Sequence, residues 1–160
     1  RGSLVPNAVD IAVKILEMDE GFSEKPYYDT KQIPTYGHGF VCGKQYSDLP
    51  DISITLSESL QRLHGLTVVN DKTMHKNPDL FAAYKNCNDV QKAVLLSMAH
   101  QLGIYGVTLF RGMLGCLYHK DFAAAANEML DSKAARVDAP KRFARNAEMM
   151  RTGELHEYYK

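Results

Sequence analysis

Residues 19–39 carry the strongest structural signal in the chain, in the stretch DEGFSEKPYYDTKQIPTYGHG. Apolar residues recur at helical spacing up to the start of this stretch and stop at Gly21, which predicts a first helix that Asn7 caps and Glu20 ends. In the rest of the stretch, prolines and glycines forbid a long helix, and the tyrosines between them favour short strands. The stretch therefore predicts a helix followed by a small antiparallel sheet, with residues 29–32 as a polar turn.

The remainder of the chain is predicted to be helical. A capping box, Thr55-Leu56-Ser57-Glu58, opens a helix that runs toward Lys76. A near-continuous apolar run predicts a buried central helix from Val90 to Gln101. Further helices are expected over 79–85, 121–131 and 139–150, with glycines 103, 106, 112 and 115 separating short helical pieces. The predicted fold class is α+β and mainly α: a small sheet-bearing N-terminal lobe, a connecting helix and an all-helical C-terminal lobe.

These elements fit a single domain, as expected for a chain of 160 residues. We expect residues 1–6 to be a tag remnant or linker, because the chain opens with Arg1-Gly2-Ser3 and without an initiator methionine. Residues 20–54 would form the sheet-bearing lobe and 55–76 the connecting helix. Residues 77–160, together with the first helix, would form the helical lobe.

Composition excludes several classes of protein. Formal net charge is zero, so no global field attracts nucleic acid, and no apolar stretch reaches the length of a membrane span. The three cysteines, Cys42, Cys87 and Cys116, fit neither a disulfide framework nor a zinc site, and we expect them to be reduced thiols. The histidines also lack metal-ligand spacing. No metal and no cofactor is expected.

Three polar side chains in the opening stretch indicate hydrolytic chemistry. Hydrolysis of a glycosidic bond needs a protonated acid and a second carboxylate that activates water or stabilises an oxocarbenium ion. Glu20 would lie at a helix C-terminus, where the helix dipole disfavours an ionised carboxylate, and is the candidate acid. Asp29, in a wetter polar turn, is the candidate second carboxylate. Thr35 would hold the attacking water.

The motifs Asp19-Glu20-Gly21, Tyr28-Asp29-Thr30 and Thr35-x-Gly37-x-Gly39 together resemble the active-site signature of the phage-type lysozymes, glycoside hydrolase family 24. The spacings agree without a gap, and the resemblance extends over essentially the whole chain from about residue 10. Further landmarks of that family follow in order: the capping box at Thr55, Asn77, Tyr84, Val90, Met98, Gln101-x-Gly103, Gly106-Val107, Phe110, Arg151-Thr152-Gly153 and Tyr159-Lys160.

The resemblance implies a lysozyme-like fold and a muramidase. Such an enzyme hydrolyses the β-1,4 bond between N-acetylmuramic acid and N-acetylglucosamine in peptidoglycan, with inversion. Glu20 would be the general acid, Asp29 would assist the water and Thr35 would position it. Arg142 matches the family arginine that reaches across the cleft to the catalytic glutamate. It is the exception in a late basic run that we otherwise interpret as a solvated helical face: Lys133, Arg136, Lys141, Arg142, Arg145 and Arg151.

The chain departs from the family pattern in the N-terminal lobe. His38 lies between the two glycines and Phe40 stands where the family carries a histidine, so we expect the family's His–Asp pair to be absent here. Only 19 residues separate Thr35 from Thr55, so this lobe is trimmed. The candidate substrate-binding residues carried over from the family positions are Val41, His100, Gln101 and Met113.

The expected partner is the glycan strand of peptidoglycan, bound by an isolated domain that is a monomer or by the same domain within a larger virion protein. The expected setting is a phage protein that acts on the bacterial cell wall in the periplasm, as a free endolysin made in the host cytoplasm or as a virion component. The sequence does not separate lysis at the end of infection from entry.

Two alternative functions remain open. A lytic transglycosylase uses one catalytic glutamate and releases an anhydro product, and the presence of Asp29 and Thr35 argues against it. A non-catalytic murein-binding module of a virion protein is the second alternative. The retention of all three catalytic residue types argues against this one.

Overall fold

The computed structural model of the chain describes residues 6–160, so most of the predicted tag remnant or linker lies outside the described residues. Helix α1 (Ala8–Glu20) leads into a three-stranded antiparallel sheet, in which strand β2 lies between β1 and β3. The strands are β1 (Ser23–Tyr28), β2 (Pro34–Gly37) and β3 (Phe40–Val41). The α+β class predicted from the sequence is confirmed.

The chain continues as helices. They are α2 (Leu56–Lys76), α3 (Pro78–Tyr84), α4 (Asp89–Thr108), α5 (Arg111–Tyr118), α6 (Phe122–Leu130) and α7 (Pro140–Thr152). A π-helical turn, Ala134–Asp138, precedes α7, and a 3₁₀ turn, Glu157–Tyr159, ends the chain. The sequence predicted α2, α3, α6 and α7 within about two residues of their bounds. It ended the central helix at Gln101, whereas α4 runs to Thr108, and it predicted α5 only as short helical pieces. It did not predict the π-helical turn.

Helix α1 starts and ends where the local sequence requires. The Asn7 side chain accepts a hydrogen bond from the Asp10 backbone N–H at 2.9 Å, and the Asp10 carboxylate accepts one from the Asn7 N–H at 3.3 Å. This capping box satisfies N–H groups that a helix N-terminus leaves without partners. The helix ends before Gly21, so Glu20 is its last residue.

The sheet fixes the spacing of the polar residues that follow α1. Thr35 is paired with Tyr27 on β1 and with Val41 on β3. The sheet begins at Ser23, three residues after the end of α1. The β1–β2 register is irregular between Ser23 and Tyr27, and such an irregularity tolerates a proline that cannot donate to the ladder.

Two hydrophobic clusters meet at α1. Ile15 packs in the large cluster of the helical lobe, whereas Leu16 packs with Tyr36 and Phe40 of the sheet-bearing lobe. The end of α1 is therefore held from both sides. Helix α4 runs through the large cluster and is continuously buried from Ala93 to Ala99. No single helix within residues 6–160 is long and apolar enough to cross a membrane, although α4 and α5, bent by 91°, meet those criteria as a pair.

Three of the four glycines expected to separate helical pieces lie inside helices. Gly106 lies within α4, and Gly112 and Gly115 lie within α5; Gly103 marks the one break in this group, a kink in α4. A glycine costs a helix only about 1 kcal/mol relative to alanine, so tertiary packing overrides it. A Cβ at Gly112 would lie 2.7 Å from the carboxyl carbon of Glu128, the end of a flexible exposed side chain that can move aside.

The three cysteines are free thiols, as predicted. Cys87 is buried, and burial raises the pKa of its thiol to about 12. Cys42 and Cys116 are half-buried.

Gly65 offers a direct test of the helical assignment of α2. It lies in the middle of the helix, and a Cβ built on it meets no atom within 4 Å. Gly65→Ala should raise the free energy of unfolding by about 0.5–1 kcal/mol, because alanine has the better helix propensity and restricts the unfolded chain. Urea titration followed by circular dichroism measures the change.

The matched control is Gly153→Ala, which should lower stability. Gly153 has φ +73°, and a Cβ there would lie 2.7 Å from Asn88 Nδ2. A Gly65→Ala protein that is no more stable than the parent would contradict the assignment.

Candidate active site

A cavity of about 380 Å³ lies where the sheet faces the helical lobe. Glu20 at the end of α1, Asp29 in the β1–β2 turn and Thr35 on β2 all line it. The helical lobe contributes Arg142 from α7 and further residues from α4. Of the candidate site residues predicted from the sequence, the cavity brings together Glu20, Asp29, Thr35, Val41, His100, Gln101 and Arg142.

The Glu20 carboxyl group is held between a guanidinium and a backbone. Arg142 donates a hydrogen bond from Nη1 to Glu20 Oε2 at 2.8 Å, the cross-cleft contact that the family resemblance implied. Gly39 packs against the other side of the carboxyl group. It has φ +77°, and a Cβ on it would lie 2.9 Å from Glu20 Cδ and closer still to Oε1. Only glycine fits here, which gives the second glycine of the Gly-x-Gly motif a steric reason.

Asp19 forms a buried ionic cluster beside Glu20. Its side chain is 1% exposed, and Arg145 Nη2 donates to its Oδ1 at 3.1 Å. The Tyr159 hydroxyl lies 2.7 and 2.8 Å from the two carboxylate oxygens, and Arg142 Nε lies 3.3 Å from Oδ2. Burial raises the pKa of the Tyr159 phenol; Arg145 opposes this and Asp19 adds to it, so the hydroxyl remains a donor.

This cluster corrects the interpretation of Arg145 as part of a solvated face. Arg145 is half-buried, donates from Nε to the Tyr159 hydroxyl at 2.9 Å and packs over the Tyr158 ring at 4.1 Å. Arg142 and Arg145 are three residues apart, so they share one face of α7. That spacing was the available sequence signal, but their shared partner Asp19 is more than 120 residues away along the chain.

Asp29 and Thr35 are both bound to the backbone of Ile33. Asp29 Oδ1 accepts hydrogen bonds from the N–H groups of Lys31 at 2.8 Å and Ile33 at 2.9 Å. Thr35 Oγ1 donates to the Ile33 carbonyl at 2.9 Å. The carboxylate orientation and its position relative to the hydroxyl are therefore fixed by one turn. Because the Thr35 hydroxyl proton is donated to the Ile33 carbonyl, the hydroxyl oxygen can accept a hydrogen bond from a water molecule.

Tyr27 is a lining residue that the sequence did not single out. Its neighbour Tyr28 and the β2 residue Tyr36 do not line the cavity, whereas Tyr27 does. Tyr27 is paired with Thr35 across the sheet, so both side chains lie on the same face. Burial raises the pKa of the Tyr27 phenol, and the carboxylates of Glu20 and Asp29 add to this shift. The neutral phenol can donate a hydrogen bond into the cavity.

Two histidines hold the turn between β2 and β3. His38 is buried, and its Nδ1 lies 2.6 Å from Ser59 Oγ on α2. Its carbonyl accepts a hydrogen bond from His100 Nε2 on α4 at 3.1 Å. Burial lowers the pKa of both imidazoles. The turn that carries Gly39 is thus bound to the connecting helix and to the central helix.

Met113 does not line this cavity, which corrects the expectation that it faces the cleft. Its side chain is 1% exposed and packs in the large core cluster. Met113 and Leu117 are four residues apart on α5 and form its buried face, which turns Met113 away from Glu20. Met113 lines a separate cavity of about 420 Å³ in the helical lobe.

The described residues form a lysozyme-like α+β fold, with the two carboxyl groups and the hydroxyl required for glycosidic hydrolysis around one cavity. No protein-family model matches the chain.

Two proteins of Dictyostelium discoideum are similar to the chain. Probable T4-type lysozyme 1 is 27% identical over 157 residues, which cover 98% of this chain and 81% of that protein. Probable T4-type lysozyme 2 is 27% identical over 165 residues, which cover 90% of this chain and 95% of that protein. The two similarities support the phage-type lysozyme family for this chain.

Proposed function

We propose that this protein is a muramidase that cleaves the β-1,4 bond between N-acetylmuramic acid and N-acetylglucosamine in peptidoglycan, with inversion of configuration. The observation that carries the proposal is the single cavity in which Glu20, Asp29 and Thr35 meet, each supplied by a different element. The similarity to two proteins named T4-type lysozymes supports peptidoglycan as the substrate class.

Glu20 is the proposed general acid, which protonates the leaving oxygen of the glycosidic bond. The Arg142 guanidinium, 2.8 Å away, favours the ionised carboxylate and therefore opposes this role. Two effects act in the other direction. The C-terminal end of α1 disfavours a negative charge, and a bound sugar removes water from the carboxyl group. In this mechanism the Glu20–Arg142 pair loosens as the sugar enters.

Asp29 and Thr35 are proposed to hold the attacking water. The water would donate one hydrogen bond to Thr35 Oγ1 and one to the Asp29 carboxylate, which takes up its proton. Asp29 Oδ1 already accepts two backbone hydrogen bonds, so Oδ2 is the oxygen proposed for this proton. Inversion requires room for a water between the acid and the second carboxylate, with a carboxyl separation of about 6.5–9.5 Å.

Val41, His100 and Gln101 are the proposed substrate-binding residues at this cavity. Val41 is 67% exposed at the rim and offers an apolar contact for a sugar face. Gln101 Oε1 is buried and has no hydrogen-bond partner within residues 6–160. A buried amide oxygen without a partner is costly, so a hydroxyl or acetamido N–H of the substrate would satisfy it.

The proposed setting is degradation of a bacterial cell wall. A phage enzyme of host entry or lysis, reaching the wall in the periplasm as a free endolysin or a virion component, is the first form of the proposal. Both relatives come from a cellular organism, so a bacteriolytic enzyme of a cellular organism is the second form. In both forms the isolated domain acts as a monomer.

The acid role is tested by Glu20→Gln. An amide cannot donate the proton, so the variant should clear suspensions of purified murein at least about 10²–10⁴-fold more slowly than the parent while keeping its fold. The matched control is Glu17→Gln, an exposed position on the same helix, which should keep parental activity.

Clearing by a folded Glu20→Gln protein at more than about a tenth of the parental rate would refute the assignment. Mass spectrometry of the products separates a muramidase, which releases hydrated reducing ends, from a lytic transglycosylase, which releases anhydro ends. A parent protein that binds murein without cleaving it would favour the non-catalytic module.

The cross-cleft role is tested at Arg142. Arg142→Lys should lower kcat/KM for murein, and Arg142→Ala should lower it further, by about 10–100-fold, because a charge-assisted hydrogen bond contributes about 1.5–3 kcal/mol. Lysine keeps the charge but lacks the planar fork that contacts Asp19 and Glu20 together. The control is Arg136→Ala, which removes an exposed ion pair with Asp131. Full activity of Arg142→Ala over the whole pH range would contradict the role.

A further inference from the structure

A second cavity, of about 370 Å³, adjoins the proposed catalytic cavity. Gly39, Val41 and His100 line both cavities and form their common wall. Beyond this wall the second cavity is lined by Phe40 of β3 and by residues of α2, among them Arg62. A glycan is a long chain, so a strand held at Glu20 can continue past the shared wall into the second cavity.

The two cavities differ in charge. Carboxylates of Glu20, Asp29 and Asp138 line the catalytic cavity. The catalytic cavity also holds the cations of Lys31 and Arg142, so its charges are mixed. No acidic residue lines the second cavity in the described part of the chain. Arg62, which is permanently charged, does line it. The second cavity has a permanent cation with no acid among its described lining residues and therefore attracts a carboxylate on the substrate.

The Arg62 guanidinium is held in place by two aromatic residues. Its Nη1 donates to the Tyr36 hydroxyl at 2.7 Å, and its central carbon lies 5.3 Å from the Tyr36 ring centre and 5.1 Å from that of Phe40. A guanidinium has five N–H donors, so the hydrogen bond to Tyr36 leaves others for a ligand. A group fixed in this way loses little entropy when it binds an anion.

No carboxylate of residues 6–160 forms an ion pair with Arg62. Glu58, one turn earlier on α2, accepts the Thr55 backbone N–H at 2.9 Å and is used in the capping box. Hydrogen bonds from Thr55, and to a smaller extent the charge of Arg62, lower the pKa of Glu58. The guanidinium is thus an oriented cation at a cavity, with one acidic neighbour on its own helix but no ion-paired carboxylate in the described structure.

We infer that Arg62 and the second cavity form a subsite for a carboxylate carried by the murein strand. The planar fork of Arg62 would bind the carboxylate through two parallel N–H donors. Asn70, two turns further along α2, adds an amide to the lining of the same cavity. The carboxylate has two chemical sources, the lactyl group of a peptide-free muramic acid and a free carboxyl group of the stem peptide. This inference rests on the proposed function, because it takes murein as the substrate.

The experiment compares four substrates. They are soluble murein strands with stem peptides, strands from which an amidase has removed the peptides, and both preparations after carbodiimide coupling of their carboxylates to methylamine. KM and kcat are measured for the parent, Arg62→Met, Arg62→Lys and Lys72→Met. Lys72 is an exposed cation on the same helix that does not line either cavity, so it controls for loss of charge on α2.

Arg62→Met should raise KM for carboxylate-bearing strands by about tenfold, as expected for loss of a charge-assisted hydrogen bond, with kcat little changed. On methylamidated strands it should match the parent. Arg62→Lys should recover part of the loss, and Lys72→Met should behave as the parent. An effect confined to strands with peptides identifies the stem carboxylate, and an effect confined to peptide-free strands identifies the lactyl group.

An unchanged KM in Arg62→Met, or an equal rise on native and methylamidated strands, would overturn the subsite. Calorimetric titration of the native strands into Glu20→Gln, with and without Arg62→Met, measures binding without cleavage. It therefore distinguishes failure of the subsite from failure of the proposed function. If the parent does not cleave the strands, but the strands bind more weakly to the Arg62→Met protein, the muramidase proposal is refuted and the carboxylate subsite is supported.

Discussion

The burial of the Asp19 carboxylate is the constraint on which the site depends. An ionised carboxylate that is 1% exposed is strongly destabilising unless charged and hydrogen-bonding groups surround it. Here those groups come from α7 and from the last turn of the chain, through Arg142, Arg145 and Tyr159. The requirement therefore ties the end of α1 to the far end of the sequence. The same arginine that contacts Asp19 also contacts Glu20, so satisfying one carboxylate orients the next.

The sheet-bearing lobe fixes its part of the site by independent means. Ile33 binds Asp29 through its N–H and Thr35 through its carbonyl, which sets both groups with a single turn. The turn at Gly39 is held by His38 and His100 and leaves room for the Glu20 carboxyl group. Each candidate catalytic group is thus held in position by other residues that contact it, and precise catalytic geometry requires such support. The arrangement also explains why the two carboxyl groups differ in environment although Asp29 follows Glu20 by only nine positions in the chain.

Local sequence signals predicted most of the fold. The features that the sequence analysis missed depend on contacts between residues that are far apart in the chain or on the register of the strands. The caps at Asn7 and Thr55 predicted where α1 and α2 begin, because capping depends on residues three positions apart. The ion pairs of Arg145 and the burial of Met113 were missed, because neither follows from nearby residues. Tyr27 was missed for a different reason: its place in the cavity depends on strand register, and a shift of one residue turns a side chain to the opposite face. The second cavity needed the three-dimensional meeting of β3, α2 and α4.

In the proposed mechanism Glu20 and Asp29 act on opposite faces of the scissile bond with a water between them. Proton NMR of the hydrolysis of a soluble murein strand, recorded before the new reducing ends mutarotate, tests this arrangement. We expect the α-anomer of the N-acetylmuramic acid reducing end to appear first and the β-anomer to grow in later, because direct attack by water inverts a β-linked carbon. First appearance of the β-anomer would show net retention, which requires two displacements, and would contradict the roles given to Asp29 and Thr35.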